Sequence, residues 1–299
     1  MRKSAANLRA PVLVLWTVVL SALTAVFGAT PLRVLRQTTG SALYWVVGLA
    51  IISSAVLIGW YPLALIVGLQ ILLIGTFAEF EEREFTLRQS ASFSICVTAL
   101  FFSSGFYIWT AITGKGWLAQ LLAAVTSFLD KGRELNIEVL SGIKAQDIVA
   151  QIPSAVLIFI ILSLGLALIF EPKVSRWAGV KMGSREKLTD FSAPDMVVWL
   201  FIASLLGAFG QTGVKAIELI SINVLNVAVV IYFFQGLAVL GKYFEAFKIT
   251  LFWRLLWVMV LVIQLPILMS LLGLVDYWAD FRKAFAKKAA ELRKKRIQD

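Results

Sequence analysis

Residues 152–170 read IPSAVLIFIILSLGLALIF, nineteen positions without a single charge. As a helix this run would rise about 28 Å, close to the roughly 30 Å of hydrocarbon in a bilayer. Working outward, comparable runs recur at 11–30, 42–59, 62–79, 91–113, 194–210, 217–240 and 250–273. Together they predict an all-α polytopic bundle of eight transmembrane helices: one membrane domain over 1–280 and a basic tail over 281–299. The second and third runs are separated only by Gly59, Trp60, Tyr61 and Pro62, a tight turn whose aromatic residues suit the headgroup level.

Composition narrows the function classes. Of 299 residues, 60% are hydrophobic and 15% charged, where a soluble domain carries about 25% charge. There is no histidine and one cysteine, Cys96, so a Ser-His-Asp triad, His or Cys metal sites and internal disulfides are excluded. No glycine-rich run precedes a Lys-Ser or Lys-Thr pair in the manner of a nucleotide-binding loop. The expectation is a protein that is not an enzyme, with no cofactor and no metal. The net charge of +10 is concentrated after the last apolar run, so anionic lipid rather than nucleic acid is the expected partner. Arg2, Lys3 and Arg9 before the first run could suggest a signal peptide. That run is longer than a signal core and is followed by basic residues over Pro31–Gln37, which favours a retained first helix.

Lysines and arginines of the tail place the C-terminus on the cytoplasmic side of the membrane. With eight spans, the loop holding Lys173, Arg176, Lys181, Arg185 and Lys187 would be external, against the same rule. A crossing within 116–151, or a break in one of the last three spans, would repair this. The seventh, with Asn223, Asn226 and Gly236, is a plausible place for the break. The insertion Gly114–Gln151 carries Trp117, Leu118, Leu121, Leu122, Val125 and Phe128 at helical spacing, which predicts either an interfacial amphipathic helix or a re-entrant segment. Glu79, Glu81, Glu82 and Glu84 beside Arg83 and Arg88 read as a solvated charge run rather than a divalent-cation site.

Three groups of residues could carry function. Ser21, Ala25 and Ala29 fall four apart in the first run and would form a small-residue ridge, for docking either the protein's own helices or a separate membrane subunit. The seventh run concentrates Asn223, Asn226, Tyr232 and Gln235. With Gln264 beside Pro266 in the last run, these could bind a small polar solute, or could merely bond helices together; Gln70 is a weaker candidate. In the tail, Phe281, Phe285, Ala289 and Leu292 form one stripe. Arg282, Lys283, Lys287, Lys288, Arg293, Lys294, Lys295 and Arg296 surround it, a pattern for a helix on anionic headgroups, while Asp280 can pair with Lys283 or Lys287.

The stretch Asn226–Leu240, the exit Gly273–Arg282 and the entries Ile152–Pro153–Ser154 and Ala193–Pro194–Asp195–Met196 resemble the YybS-like family, an uncharacterised group of bacterial multi-pass membrane proteins. That family is in turn distantly similar to the substrate-capture subunits of energy-coupling-factor transporters, whose first helix docks on a coupling subunit through alanines four apart. Ala25 and Ala29 match that spacing, although those subunits usually have about six spans. The resemblance implies capture of a small solute with a partner subunit. The alternative is a membrane scaffold or assembly factor binding lipids or proteins.

Overall fold

A computed structural model describes residues 9–114, 116–135, 142–180, 187–210 and 213–298, with the side chains of 109, 113, 117, 263 and 292–298 outside the described set. Regular structure among the described residues is helical throughout. In order these are α1 (Ala10–Thr24), α2 (Ala29–Thr39), α3 (Ser41–Leu57), α4 (Tyr61–Glu82), α5 (Leu87–Thr113), α6 (Trp117–Glu134) and α7 (Ala145–Ala178). A short 3₁₀ turn at Leu188–Asp190 precedes α8 (Asp195–Phe209), α9 (Lys215–Ala246), α10 (Leu251–Met259), a π turn over Val260–Gln264, α11 (Pro266–Ala279) and α12 (Phe281–Gln298).

The chain divides into two compact units, Met1–Ser184 and Arg185–Asp299, where one membrane domain was expected. Hydropathy does not mark this boundary, because a bilayer demands apolar surface of both units alike. At the centre of the first unit lies α2, against α1, α3, α4 and α7. Every residue from Ala29 to Arg36 is buried. The second unit is built around α9, which packs on α8, α11, α12 and the 3₁₀ turn. Its tightest joint is the approach of α9 to α11. A Cβ on Gly236 would lie 2.0 Å from the Met269 carbonyl oxygen, and one on Gly273 2.0 Å from that of Tyr232. Only residues without a side chain allow two helix backbones this close.

Each of the eight apolar runs is helical, yet their lengths do not give eight simple crossings. Four helices among the described residues are long and apolar enough to span: Tyr61–Glu82, Leu87–Ile112, Ala145–Ala178 and Lys215–Ala246. A fifth is obtained if Leu251–Val262 and Pro266–Ala279, bent by 100° at their junction, are counted as one span. The first, second and sixth runs form shorter helices, Ala10–Thr24, Ser41–Leu57 and Asp195–Phe209. The first stops early because Ala25 takes φ +60° and the Thr24 hydroxyl accepts the Phe27 N–H at 3.2 Å. The residues read as its basic flank then form α2 inside the unit. Of the two repairs considered for the parity, a break among the last three runs is present at Leu265 and Pro266, where proline lacks a donor, while the seventh run is continuous as α9. Lys173 and Arg176, expected in a loop, belong to α7, which runs past Pro172 and ends at Gly179 with φ +72°.

The Gly236–Gly273 joint yields a direct test. Gly236→Ala forces α9 off α11 and should destabilise the protein by roughly 2 kcal/mol, read as a lower melting temperature in detergent. Gly105→Ala, with nothing within 4 Å of the added carbon, should leave it unchanged.

Candidate functional site

Two buried polar centres stand out, one in each unit. In the first, Arg33 and Arg36 lie three apart on α2 with side chains only 4% exposed. Arg33 pairs with Glu81 on α4 and lies 3.4 Å from the Glu171 carboxylate on α7. Its guanidinium also sits 5.0 Å over the Phe77 ring. Arg36 reaches Glu79 at 3.0 Å and Glu82 at 2.9 Å. Gln37 donates to Glu171 and accepts from the Ser175 hydroxyl at 3.3 Å, and the Ser41 hydroxyl donates to Glu79. Of the four glutamates expected to be a solvated run, Glu79, Glu81 and Glu82 are thus partners of the arginines, with Glu82, the most exposed of these three, still at 59%, while Glu84 is exposed. Four carboxylates against two guanidinium groups leave a formal charge of −2, from +2 and −4. Arginine does not release its proton, so this centre ties helices together and offers no acid or base exchange through its cations. No group of three or more His, Cys, Asp or Glu among the described residues could hold a metal ion.

The second centre gathers around Asp276, near the end of α11 and 3% exposed. Its Oδ2 accepts from Arg282 Nη2 at 2.9 Å, Arg282 Nε at 3.1 Å and Gln235 Nε2 at 3.3 Å. Arg282 Nη1 donates to the Phe191 carbonyl at 2.9 Å, and Gln235 Oε1 accepts the Ala193 N–H at 2.9 Å. The latch therefore joins α9, α11, α12 and the strand of chain entering α8. Asp276 Oδ1 and the Tyr232 hydroxyl are buried with no hydrogen-bond partner among the described residues.

Of the five residues proposed from sequence to grip a solute, only Tyr232 and Gln235 come together here. Asn223 lies about 18 Å further along α9 and donates to the Leu219 carbonyl of its own helix at 2.8 Å. Asn226 is half-buried between them, and Gln264 is exposed in the π turn. No single small molecule can be held by all five, because the amides that face inward are spread over three helical turns. The three small residues do not share one helical face, and Ser21 meets the protein's own α4. Ser21 is buried and donates to Gln70 at 2.8 Å, Gln70 donates to the Ala25 carbonyl, and Ala25 and Ala29 lie beyond the end of α1. Gln70, the weaker candidate, thus holds the break between α1 and α2.

In the tail, Arg282 faces Asp276 instead of lipid, whereas Lys283, Lys287 and Lys288 are exposed, and Asp280 pairs with Lys283. The side chains of Arg293, Lys294, Lys295 and Arg296 lie outside the described residues. Sequence reasoning missed Arg33, Arg36, Glu171 and Asp276. The spacing of the two arginines by three, within a segment of helical pattern, was the one available signal.

A model of the family described as predicted membrane protein (DUF2232) matches residues 10–277. Neither a curated protein nor a solved structure matches the chain.

Removing Arg33 would take the cation from beside the buried Glu171 carboxylate. Arg33→Gln should cost about 3–5 kcal/mol, seen as aggregation or early melting by fluorescence-detected size exclusion. Adding Glu171→Gln to it should restore part of the loss.

Proposed function

This chain belongs to the DUF2232 family of membrane proteins, and on that footing we propose that it is a non-catalytic scaffold of the bacterial inner membrane. Its C-terminus is cytoplasmic, and it works by presenting α12 to anionic lipid headgroups or to an acidic partner subunit. The observation that supports this reading is the mounting of α12. Phe285 packs on Tyr243 and Phe247 with ring centroids at 5.4 and 6.2 Å, and Arg282 is locked on Asp276, while Lys283, Lys287 and Lys288 remain outward. A basic helix held at a fixed angle attracts an acidic surface without having to be ordered first. The absence of histidine and the use of both buried carboxylate centres in ion pairs also favour a role without catalysis.

A second reading is capture of a small solute with a partner subunit, as the resemblance to the YybS-like family and, through it, to energy-coupling-factor capture subunits implies. It is favoured by Asp276 Oδ1, an acceptor buried without a hydrogen-bond partner among the described residues.

Hydrogen exchange in lipid nanodiscs distinguishes the scaffold reading. Backbone amides of α12 should exchange at least several-fold more slowly with phosphatidylglycerol present than in purely zwitterionic lipid. The triple variant Lys283→Gln, Lys287→Gln, Lys288→Gln should abolish that difference. Equal exchange in the two lipids for the natural sequence would contradict lipid presentation.

A further inference from the structure

The two halves of the last apolar run, α10 and α11, either continue one crossing or turn back, and contacts along α9 decide between these. At the Gly236–Gly273 joint each glycine faces the carbonyl one turn earlier on the other helix, those of Met269 and Tyr232. Beyond the joint, Phe285 of α12 meets Tyr243 and Phe247. Residue numbers rise together, so α11 runs in the same direction as α9. An antiparallel α11 would leave Asp280 at a level about 20 Å short of Tyr243, out of reach of Phe285 five residues later. The start of α10 is held at the same end of α9, where Arg254 Nη2 donates to the Phe244 carbonyl at 3.1 Å and Nε to the Ile249 carbonyl at 2.7 Å. The chain thus leaves α9 at this end, meets it again lower down at Gly236 and heads back toward the same end. The 100° between the two halves exceeds a right angle and reverses the sense of travel. Pro266, seven positions before Gly273, lies about 10 Å deeper than the glycine joint and about 25 Å from the Ala246 end of α9, half of that helix's roughly 48 Å.

The charges of the second unit agree with this path. Asp190, just ahead of α8, pairs with Lys242 at 2.6 Å, whereas Gly207 near the end of α8 faces Ser221 close to the start of α9. Lys187, the last residue of the basic loop that eight crossings put opposite the tail, therefore stands at the same end as Lys242, Lys248, Arg254 and the exposed lysines of α12. Among the described residues of this unit, only Lys215 represents lysine and arginine at the other end. The conflict of charge and parity disappears when the last run makes no crossing. Irregular backbone at mid-membrane depth is not left to lipid, and Gln264 and Leu265 at the bend are exposed. We propose that Leu251–Ala279 is a re-entrant hairpin that enters and leaves the membrane on the side of α12, and that its tip presents the Gln264 amide at mid-membrane to water admitted from that side. Only the naming of that side as cytoplasmic rests on the proposed function.

The test labels single cysteines with a small membrane-impermeant thiol reagent in sealed right-side-out and inside-out vesicles, in the full chain carrying Cys96→Ser, which removes its one natural cysteine. Thr250→Cys, between α9 and α10, and Lys287→Cys on α12 should react from the same face, and Lys215→Cys from the opposite one. Gln264→Cys should react from the face of Thr250→Cys, more slowly. Reaction of Thr250→Cys and Lys287→Cys from opposite faces would make the run a broken crossing and overturn the hairpin, as would a Gln264→Cys that reacts only from the face of Lys215→Cys. An unreactive Gln264→Cys overturns the opening to water and leaves the tip covered by protein. Thr250→Cys and Lys287→Cys both reacting from the outer face keep the hairpin and reverse instead the cytoplasmic placement of α12. Should Thr250→Cys fail to reach the membrane, Lys248→Cys in the same connection takes its place under the same criteria.

Discussion

Two guanidinium groups inside an apolar bundle set the arrangement of the first unit. A buried lysine can shed its proton, but arginine stays charged, so its partners must be brought to it. Glu79, Glu81 and Glu82 from α4 and Glu171 from α7 meet that demand; Gln37 and Ser41 donate to the carboxylates of Glu171 and Glu79, and Ser175 donates to Gln37. Once α2 is fixed this way, α1 must turn sharply to reach it, and the Ser21–Gln70–Ala25 bonds accommodate that turn. Removing charge from hydrocarbon and placing helices are here one problem.

The second unit faces the same demand with the opposite sign. Asp276 is buried, and the cation that balances it, Arg282, arrives from the next helix along the chain. The Gly236–Gly273 contact brings α9 and α11 close enough for the Gln235 amide to reach Asp276 with one end while its other end takes the Ala193 N–H. Close packing and polar satisfaction depend on each other, since a wider spacing would strand both the amide and the carboxylate.

Helical character was legible from runs such as 152–170, because hydrocarbon thickness and helix rise fix the length of an apolar segment. The exposed lysines of the tail were equally plain. What the sequence concealed depended on distance along the chain: Arg36 meets Glu79 over 43 positions and Gln37 meets Glu171 over 134. Pairings of that range leave no local pattern, so the basic segment after the first run looked like a membrane flank and the glutamates looked solvated. The polar residues of the seventh run shared a helix, but spacing in sequence does not say which neighbour each amide faces. Asn223 turned to its own backbone, and Gln264 went to the far side of a bend that Pro266 alone only hinted at.

One residue, Asp280, joins α11 to α12 in the left-handed region at φ +47°, a conformation that aspartate tolerates better than most side chains. The joint has no slack: Asp276 and Arg282 on either side of it are bonded to one another. The azimuth of the basic helix is therefore geared to the membrane bundle like a crank on a shaft. One extra residue at this point would turn α12 by about 100°, sending its lysines toward α9 and its phenylalanines toward water. The chain length between Asp276 and Arg282 is thus itself a specification of which face of α12 packs on α9 and which meets water.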